Sequence, residues 1–215
     1  MEKVTREALD RYVRDLFAQE DHLLQMIREE SAGQGFPQIH VRPEEGRMLQ
    51  FLLTAVRARQ VVEIGALAGY SGLWIARALP PDGRLISLEI DEEHAAFTRR
   101  IYEQAGLAGR AEVREGPALA LLDRLAGEGP FDAVFVDADK PHYPNYLAWA
   151  VENLRPGGLV LAHNAFTRGR VIDPAQLADP GVRGIAELNQ RIAEDPRLLG
   201  TIIPVGDGIA AAVRL

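Results

Sequence analysis

Two stretches of this 215-residue chain carry side chains that could do chemistry. The first is Val61-Val62-Glu63-Ile64-Gly65-Ala66-Leu67-Ala68-Gly69-Tyr70-Ser71-Gly72, which reads as strand, tight loop and helix. Ligands of open α/β sheets sit beyond the carboxyl ends of strands, at turns of this kind. Glycine there lets backbone come close to the ligand. The loop closes on Gly69-Tyr70-Ser71 and lacks the Gly-Lys-Ser/Thr of a nucleoside triphosphate cradle. Its spacing is not G-x-G-x-x-G either. Glu63, at the strand end, is expected to face the ligand, where it repels a diphosphate and attracts a cation. Glu89 ends the second strand, where an acid can accept ribose hydroxyls. S-adenosylmethionine, with a ribose, an ammonium and a sulfonium, suits both acids. The alternative is a glycine loop that only turns the chain.

The second stretch is split between two strand ends. Phe131–Val136 runs into Asp137-Ala138-Asp139-Lys140, and Leu159–Ala162 runs into His163-Asn164. Adjacent parallel strands bring Asp137, His163 and Asn164 together at the ligand edge. Two oxygen side chains and an imidazole could hold a divalent ion, with water completing the shell. They could equally cap helices and bind loop backbone. Lys140 stands out because lysine occurs only here and at Lys3, among 24 basic residues. An amine, unlike a guanidinium, can lose its proton, so Lys140 is a candidate base for a substrate hydroxyl. The alternative is an exposed surface lysine.

The elements that must position these groups follow from periodicity. Residues 1–59 read as a helical extension: Leu9, Val13, Leu16 and Phe17 recur at helix spacing, and so do Leu23, Leu24 and Ile27. A third helix carries Met48, Leu49, Leu52, Leu53 and Val56 on one face. From Gln60 onward, short apolar strands alternate with helices, which predicts a mostly parallel sheet covered on both faces. A helix after Val136 is expected to stop at Arg155-Pro156-Gly157-Gly158. The last two strands, near Leu199–Val205 and Gly208–Val213, are joined only by Gly206-Asp207-Gly208 and should form an antiparallel hairpin. The stretch Phe166 to Pro180 is expected to shape an acceptor pocket. The whole chain, 1–215, reads as one domain, with the α/β core over 60–215.

Composition excludes several classes. The chain has no cysteine, so disulfide scaffolds, thiolate zinc sites and cysteine nucleophiles are ruled out. A net charge of −7 argues against a polynucleotide partner. No apolar run approaches the roughly 18 residues of a membrane span, and nothing near Met1 reads as a signal peptide. The expectation is a soluble, cytoplasmic protein.

Glu63-Ile-Gly-x-x-x-Gly-Tyr-Ser, Glu89-Ile90-Asp91, Asp137-Ala-Asp-Lys140 and Asn164, in this order, resemble the cation-dependent class I O-methyltransferases, the catechol and caffeoyl-coenzyme A group. The likeness runs from about Val41 to the C-terminus. It implies a Rossmann-like, seven-stranded mixed sheet of order 3-2-1-4-5-7-6 with an antiparallel last strand. It also implies S-adenosylmethionine as cofactor, a divalent cation such as Mg²⁺ or Mn²⁺, a small aromatic hydroxyl as acceptor, and a homodimer. Carried over by position, Val41 and Glu63 line the methionine end of the cofactor. Gly65, Ala66, Tyr70 and Ser71 meet it through the loop. Glu89 takes the ribose, Ile90 packs on the adenine, and Gly116 and Ala118 close the adenine side. Asp137 and Asn164 match metal ligands, and Lys140 the general base.

His163 departs from the pattern, which usually has aspartate before the asparagine. Imidazole suits softer ions than Mg²⁺. His163 either ligates an ion such as Mn²⁺ or Zn²⁺, or serves as an acid/base or hydrogen-bonding group where metal binds weakly or not at all, or points elsewhere. Two competing readings are a nicotinamide dehydrogenase and a non-catalytic cofactor-binding protein of the same fold.

Overall fold

The computed structural model describes residues 5–215. Lys3 lies outside the described residues. Seven strands form one sheet: β1 (Gln60–Ile64), β2 (Arg84–Glu89), β3 (Ala111–Glu115), β4 (Phe131–Val136), β5 (Leu154–His163), β6 (Leu198–Ile203) and β7 (Ile209–Arg214). Their order is β3-β2-β1-β4-β5-β7-β6. β1 to β5 pair in parallel, while β7 runs antiparallel to both β5 and β6. The hairpin expected from Gly206-Asp207-Gly208 is therefore present, and β7 inserts between β5 and β6.

Strand alternation divides the core into two layers. Val61, Leu85, Phe135 and Leu161 point to one face of the sheet. That face is covered by α2 (His22–Gly33), α3 (Pro43–Ala55), α4 (Tyr70–Ala76) and α5 (Glu92–Gln104). Val62, Ile86, Val134 and Val160 point to the other, under α6 (Ala118–Leu125), α7 (Tyr143–Asn153) and α8 (Pro180–Glu194). Each fully buried Leu, Val, Ile or Phe contributes roughly 1.5–3 kcal/mol to this packing. Trp74 is buried in the first layer. Trp149 packs against Phe131 and donates its indole N–H to the Leu122 carbonyl.

Three details differ from expectation. α7 ends at Asn153, and Arg155-Pro156-Gly157-Gly158 belongs to β5, because Leu154 already pairs with Phe131 before a register shift. Lys140–His142 forms a 3₁₀ turn ahead of α7. α8 packs tightly on that turn at Gly184, where a Cβ would lie 2.3 Å from the Lys140 carbonyl oxygen. In the N-terminal extension, α1 (Arg6–Phe17) is a helix as expected, but Leu9, Leu16 and Phe17 are more than half exposed.

The sheet order reverses between β1 and β4, whose carboxyl ends splay into a crevice. The loop after β1 enters it at Gly65, whose φ is +96°. A Cβ there would lie 2.2 Å from the Asp137 carbonyl oxygen, so only glycine lets the two strand ends approach this closely.

Candidate active site

A cavity of about 350 Å³ opens at this reversal point, within the range of small-molecule sites. Gly65, Ala66, Tyr70 and Ser71 line it from the β1 loop and the start of α4. Glu89 and Ile90 line it from the end of β2, and Gly116 and Ala118 from beyond β3. Val41 closes one side, and Asp137 and Lys140 the other. The cavity thus gathers groups that lie up to a hundred residues apart in sequence.

Glu89 is fixed before any ligand arrives. Its Oε2 accepts from the N–H groups of Ala66 (3.1 Å) and Leu67 (2.7 Å). Its Oε1 accepts from Ile90 (2.9 Å) and Asp91 (3.0 Å). The carboxylate therefore clips the β1 loop to the end of β2. Ile90 beside it is 71% exposed, an apolar surface at the cavity rim.

Glu63 does not face the cavity, contrary to the sequence expectation. Alternation along β1 puts it on the same side as Val61, beneath α4. There it is fully buried. Ser71 donates to its Oε1 (2.6 Å), and Ser87 (2.6 Å) and Tyr102 (3.3 Å) donate to its Oε2. Burial pushes its pKa up to about 7 against these hydroxyl bonds. It supports the cavity wall through Ser71. Tyr70 likewise sends its hydroxyl away, donating to Glu20 (2.7 Å), with Arg28 stacked 4.2 Å over its ring.

Two histidines outside the sequence motifs, His40 and His94, also line the cavity. His40 is half-buried and 3.1 Å from the Ser31 hydroxyl; burial pushes its pKa down to about 4, so it is neutral. His94 packs its ring 4.3 Å from Phe36 and approaches Glu89 to 3.9 Å. Their signals were slight: His40 precedes Val41, and His94 falls in the first turn of α5. The stretch Phe166 to Pro180, expected to shape the pocket, forms two 3₁₀ segments, Thr167–Ile172 and Pro174–Ala178. It is not part of the cavity wall.

At the other end, Asp137 anchors a chain of charged groups. Its Oδ1 accepts from Lys140 Nζ (2.8 Å), which also donates to the Tyr143 hydroxyl (2.9 Å). Its Oδ2 lies 3.0 Å from His163 Nδ1, and His163 Nε2 lies 3.0 Å from Glu45 Oε1. Glu45, in the first turn of α3, also accepts from the N–H groups of Arg42 (2.7 Å) and Asp207 (3.2 Å). Burial opposes the charge on Asp137, but the neighbouring His163 and Lys140 hold its pKa well below the usual carboxylate range. Burial also opposes charge on His163, yet its two carboxylate neighbours raise its pKa to about 10. Glu45 was not singled out from sequence. A glutamate three residues past Arg42 at a helix start reads as a cap, and its other partners, His163 and Asp207, come from the end of β5 and the turn before β7.

The suggested metal ligands do not present a ready cation site. Both Asp137 oxygens are engaged by cationic donors, and both His163 nitrogens face carboxylates. Asn164, in a left-handed backbone conformation, turns its amide nitrogen to Asp207 (3.3 Å). Among the described residues, no three His, Cys, Asp or Glu side chains are arranged to hold a metal ion. The cavity reaches Asp137 and Lys140 but neither His163 nor Asn164.

Comparison with known proteins agrees with this architecture. The sequence model of the O-methyltransferase family matches residues 14–215. The catechol O-methyltransferase of Niastella koreensis is 40% identical over 214 residues, covering 96% of each chain. The solved O-methyltransferase of Bacillus cereus, in complex with S-adenosylhomocysteine, superimposes with a TM-score of 0.91 at 39% identity, covering 97% of each chain. TomG of Streptomyces achromogenes, an O-methyltransferase of tomaymycin synthesis solved with S-adenosylmethionine, gives 0.90 at 35% identity over 99% of each chain. The fold, the cavity at the sheet reversal and these relatives place the chain in the class I S-adenosylmethionine-dependent O-methyltransferase family.

Proposed function

We propose that this enzyme methylates a hydroxyl of a small aromatic acceptor carrying vicinal hydroxyls, with Lys140 as the base. The observation that carries the reading is the position of Lys140 on the cavity wall, its Nζ tethered to Asp137 and Tyr143. In this reading, S-adenosylmethionine lies across the crevice with its ribose at Glu89. Its adenine lies between Ile90 and the Gly116–Ala118 turn. Its methionine end lies at Val41, Ser71 and Asp137.

Lys140 first gives up its ammonium proton, and its amine then takes the proton of the acceptor hydroxyl. The oxygen attacks the methyl carbon in line with sulfur and forms the O–CH₃ bond. The S–CH₃ bond breaks with its electron pair staying on sulfur, leaving S-adenosylhomocysteine. The sulfonium supplies the reactivity, so the protein chiefly orients the partners, an effect worth about 7–11 kcal/mol in favourable systems. Support for the acceptor class comes from the catechol O-methyltransferase relative. The reading includes a homodimer, for which α1 offers exposed Leu9, Tyr12, Leu16 and Phe17 as an apolar face. It also includes a cytoplasmic location without a nucleic-acid partner. No described helix is long and apolar enough to cross a membrane.

The test is turnover of catechol and related acceptors, followed as S-adenosylhomocysteine release. Lys140→Met should lose most turnover while binding S-adenosylhomocysteine as the wild type does. Full retained activity rejects the base role.

A further inference from the structure

We infer that Glu45 and His163 stand in this enzyme where a divalent cation would otherwise organise the site, fixing the Asp137 carboxylate that holds Lys140, so that methyl transfer needs no metal. The inference rests on the proposed role of Lys140 and extends it inward to two residues the cavity does not touch.

The geometry is a linear relay from helix to base. Glu45 projects from the first turn of α3. His163 ends β5, Asp137 directly follows β4, and Lys140 opens the following turn. The links are 3.0, 3.0 and 2.8 Å. Carboxylate oxygens only accept hydrogen bonds, so an imidazole between two of them donates from both nitrogens and carries a positive charge. A cation bound by carboxylates would supply the same compensation. Here it comes from a side chain that is 6% exposed and held at both ends.

Glu45 is itself immobilised by the N–H groups of Arg42 and Asp207, from two separate parts of the fold. The site is also closely filled. A Cβ at Gly206, in the turn before Asp207, would fall within 2 Å of Glu45 Oε1. A metal ion at Asp137 must displace the proton on His163 Nδ1, the Lys140 ammonium, or both. Glu45 and His163 are thus positioning residues: they act on the acceptor only through Asp137 and Lys140.

One alternative uses the same atoms. A histidine that ligates a metal usually donates its other N–H to a carboxylate, so His163 Nδ1 could hold Mn²⁺ or Zn²⁺ with Glu45 behind it. Experiment separates the two. The full-length enzyme is stripped with EDTA and assayed on catechol with and without MgCl₂, MnCl₂ or ZnCl₂. Metal uptake is measured separately by calorimetry and by elemental analysis in the presence of S-adenosylhomocysteine.

The expected results are unchanged turnover in chelator and no stoichiometric uptake of any of the three ions. Glu45→Gln should lower kcat about tenfold or more, with S-adenosylhomocysteine affinity and melting temperature near wild type. His163→Asp should bind Mg²⁺ and become chelator-sensitive. If that variant does not fold, His163→Gln should lose turnover without gaining any metal response. Loss of wild-type turnover in EDTA with recovery in Mn²⁺ overturns the inference. So does one equivalent of bound metal that His163→Gln fails to retain. If no acceptor is turned over, the proposed function fails on its own, and metal uptake still decides this inference.

Discussion

Replacing Glu63 by glutamine should make the cofactor-free protein relatively more stable as pH rises. The carboxyl group is fully buried, and its pKa stands near 7 against an ordinary 4.5. Between those values the folded protein holds a proton that the unfolded chain has released. Rising pH through that window therefore costs folded-state stability. At roughly 1.4 kcal/mol per pH unit, the wild type gives up about 2–3 kcal/mol between pH 5 and pH 8 through this one group. Glutamine has no proton to lose, so the cost vanishes in Glu63→Gln. Its amide can still accept from Ser71 and donate to Ser87 or Tyr102, whose hydroxyls reorient. Urea unfolding of both proteins at pH 5, 6, 7 and 8 gives the difference directly, and every group outside the substitution cancels. The variant should gain about 2–3 kcal/mol relative to wild type across that range, about half of it by roughly pH 6, levelling off above about pH 7. A difference that stays flat with pH, or moves the other way, refutes the picture of a desolvated carboxyl behind Ser71.

Two further outcomes follow from the same geometry. Gly65→Ala places a methyl 2.2 Å from the Asp137 carbonyl at a φ of +96°. It should cost about 3 kcal/mol or more, seen as a lower urea midpoint together with loss of S-adenosylhomocysteine binding. The exposed apolar side of α1 should mediate self-association, so the double substitution Leu16→Glu, Phe17→Glu should move the sedimentation coefficient from dimer to monomer. A wild type that sediments as a monomer removes that part of the reading.

Much of this fold is legible from sequence because the signals are periodic. The apolar strands Val61–Ile64 and Phe131–Val136, buried on both faces, announce a covered parallel sheet. The Gly206-Asp207-Gly208 turn announces the terminal hairpin. Periodicity finds a face but not what covers it, which is why Leu9, Leu16 and Phe17 scan as a helix yet lie exposed. The cavity-lining residues Gly65, Tyr70, Ser71, Glu89 and Asp137 are legible because they sit at strand ends or in the loop and helix start that follow β1, where topology fixes their place. Glu63 was misread because it lies one residue inside the strand, and alternation along β1 turns it under α4. Glu45 was invisible because its partner His163 is 118 residues away, and no local pattern records a contact that exists only once α3 packs beside β5 and β7.

The most direct measurement is calorimetric binding of S-adenosylhomocysteine to the wild-type protein and to Glu89→Ala. The account predicts one site per chain in the wild type. Its affinity should fall about tenfold or more when the carboxylate that would bind the ribose is removed, since hydrogen bonds to a charged group are worth about 1.5–3 kcal/mol. No binding to the wild type, or equal affinity in the two proteins, contradicts it.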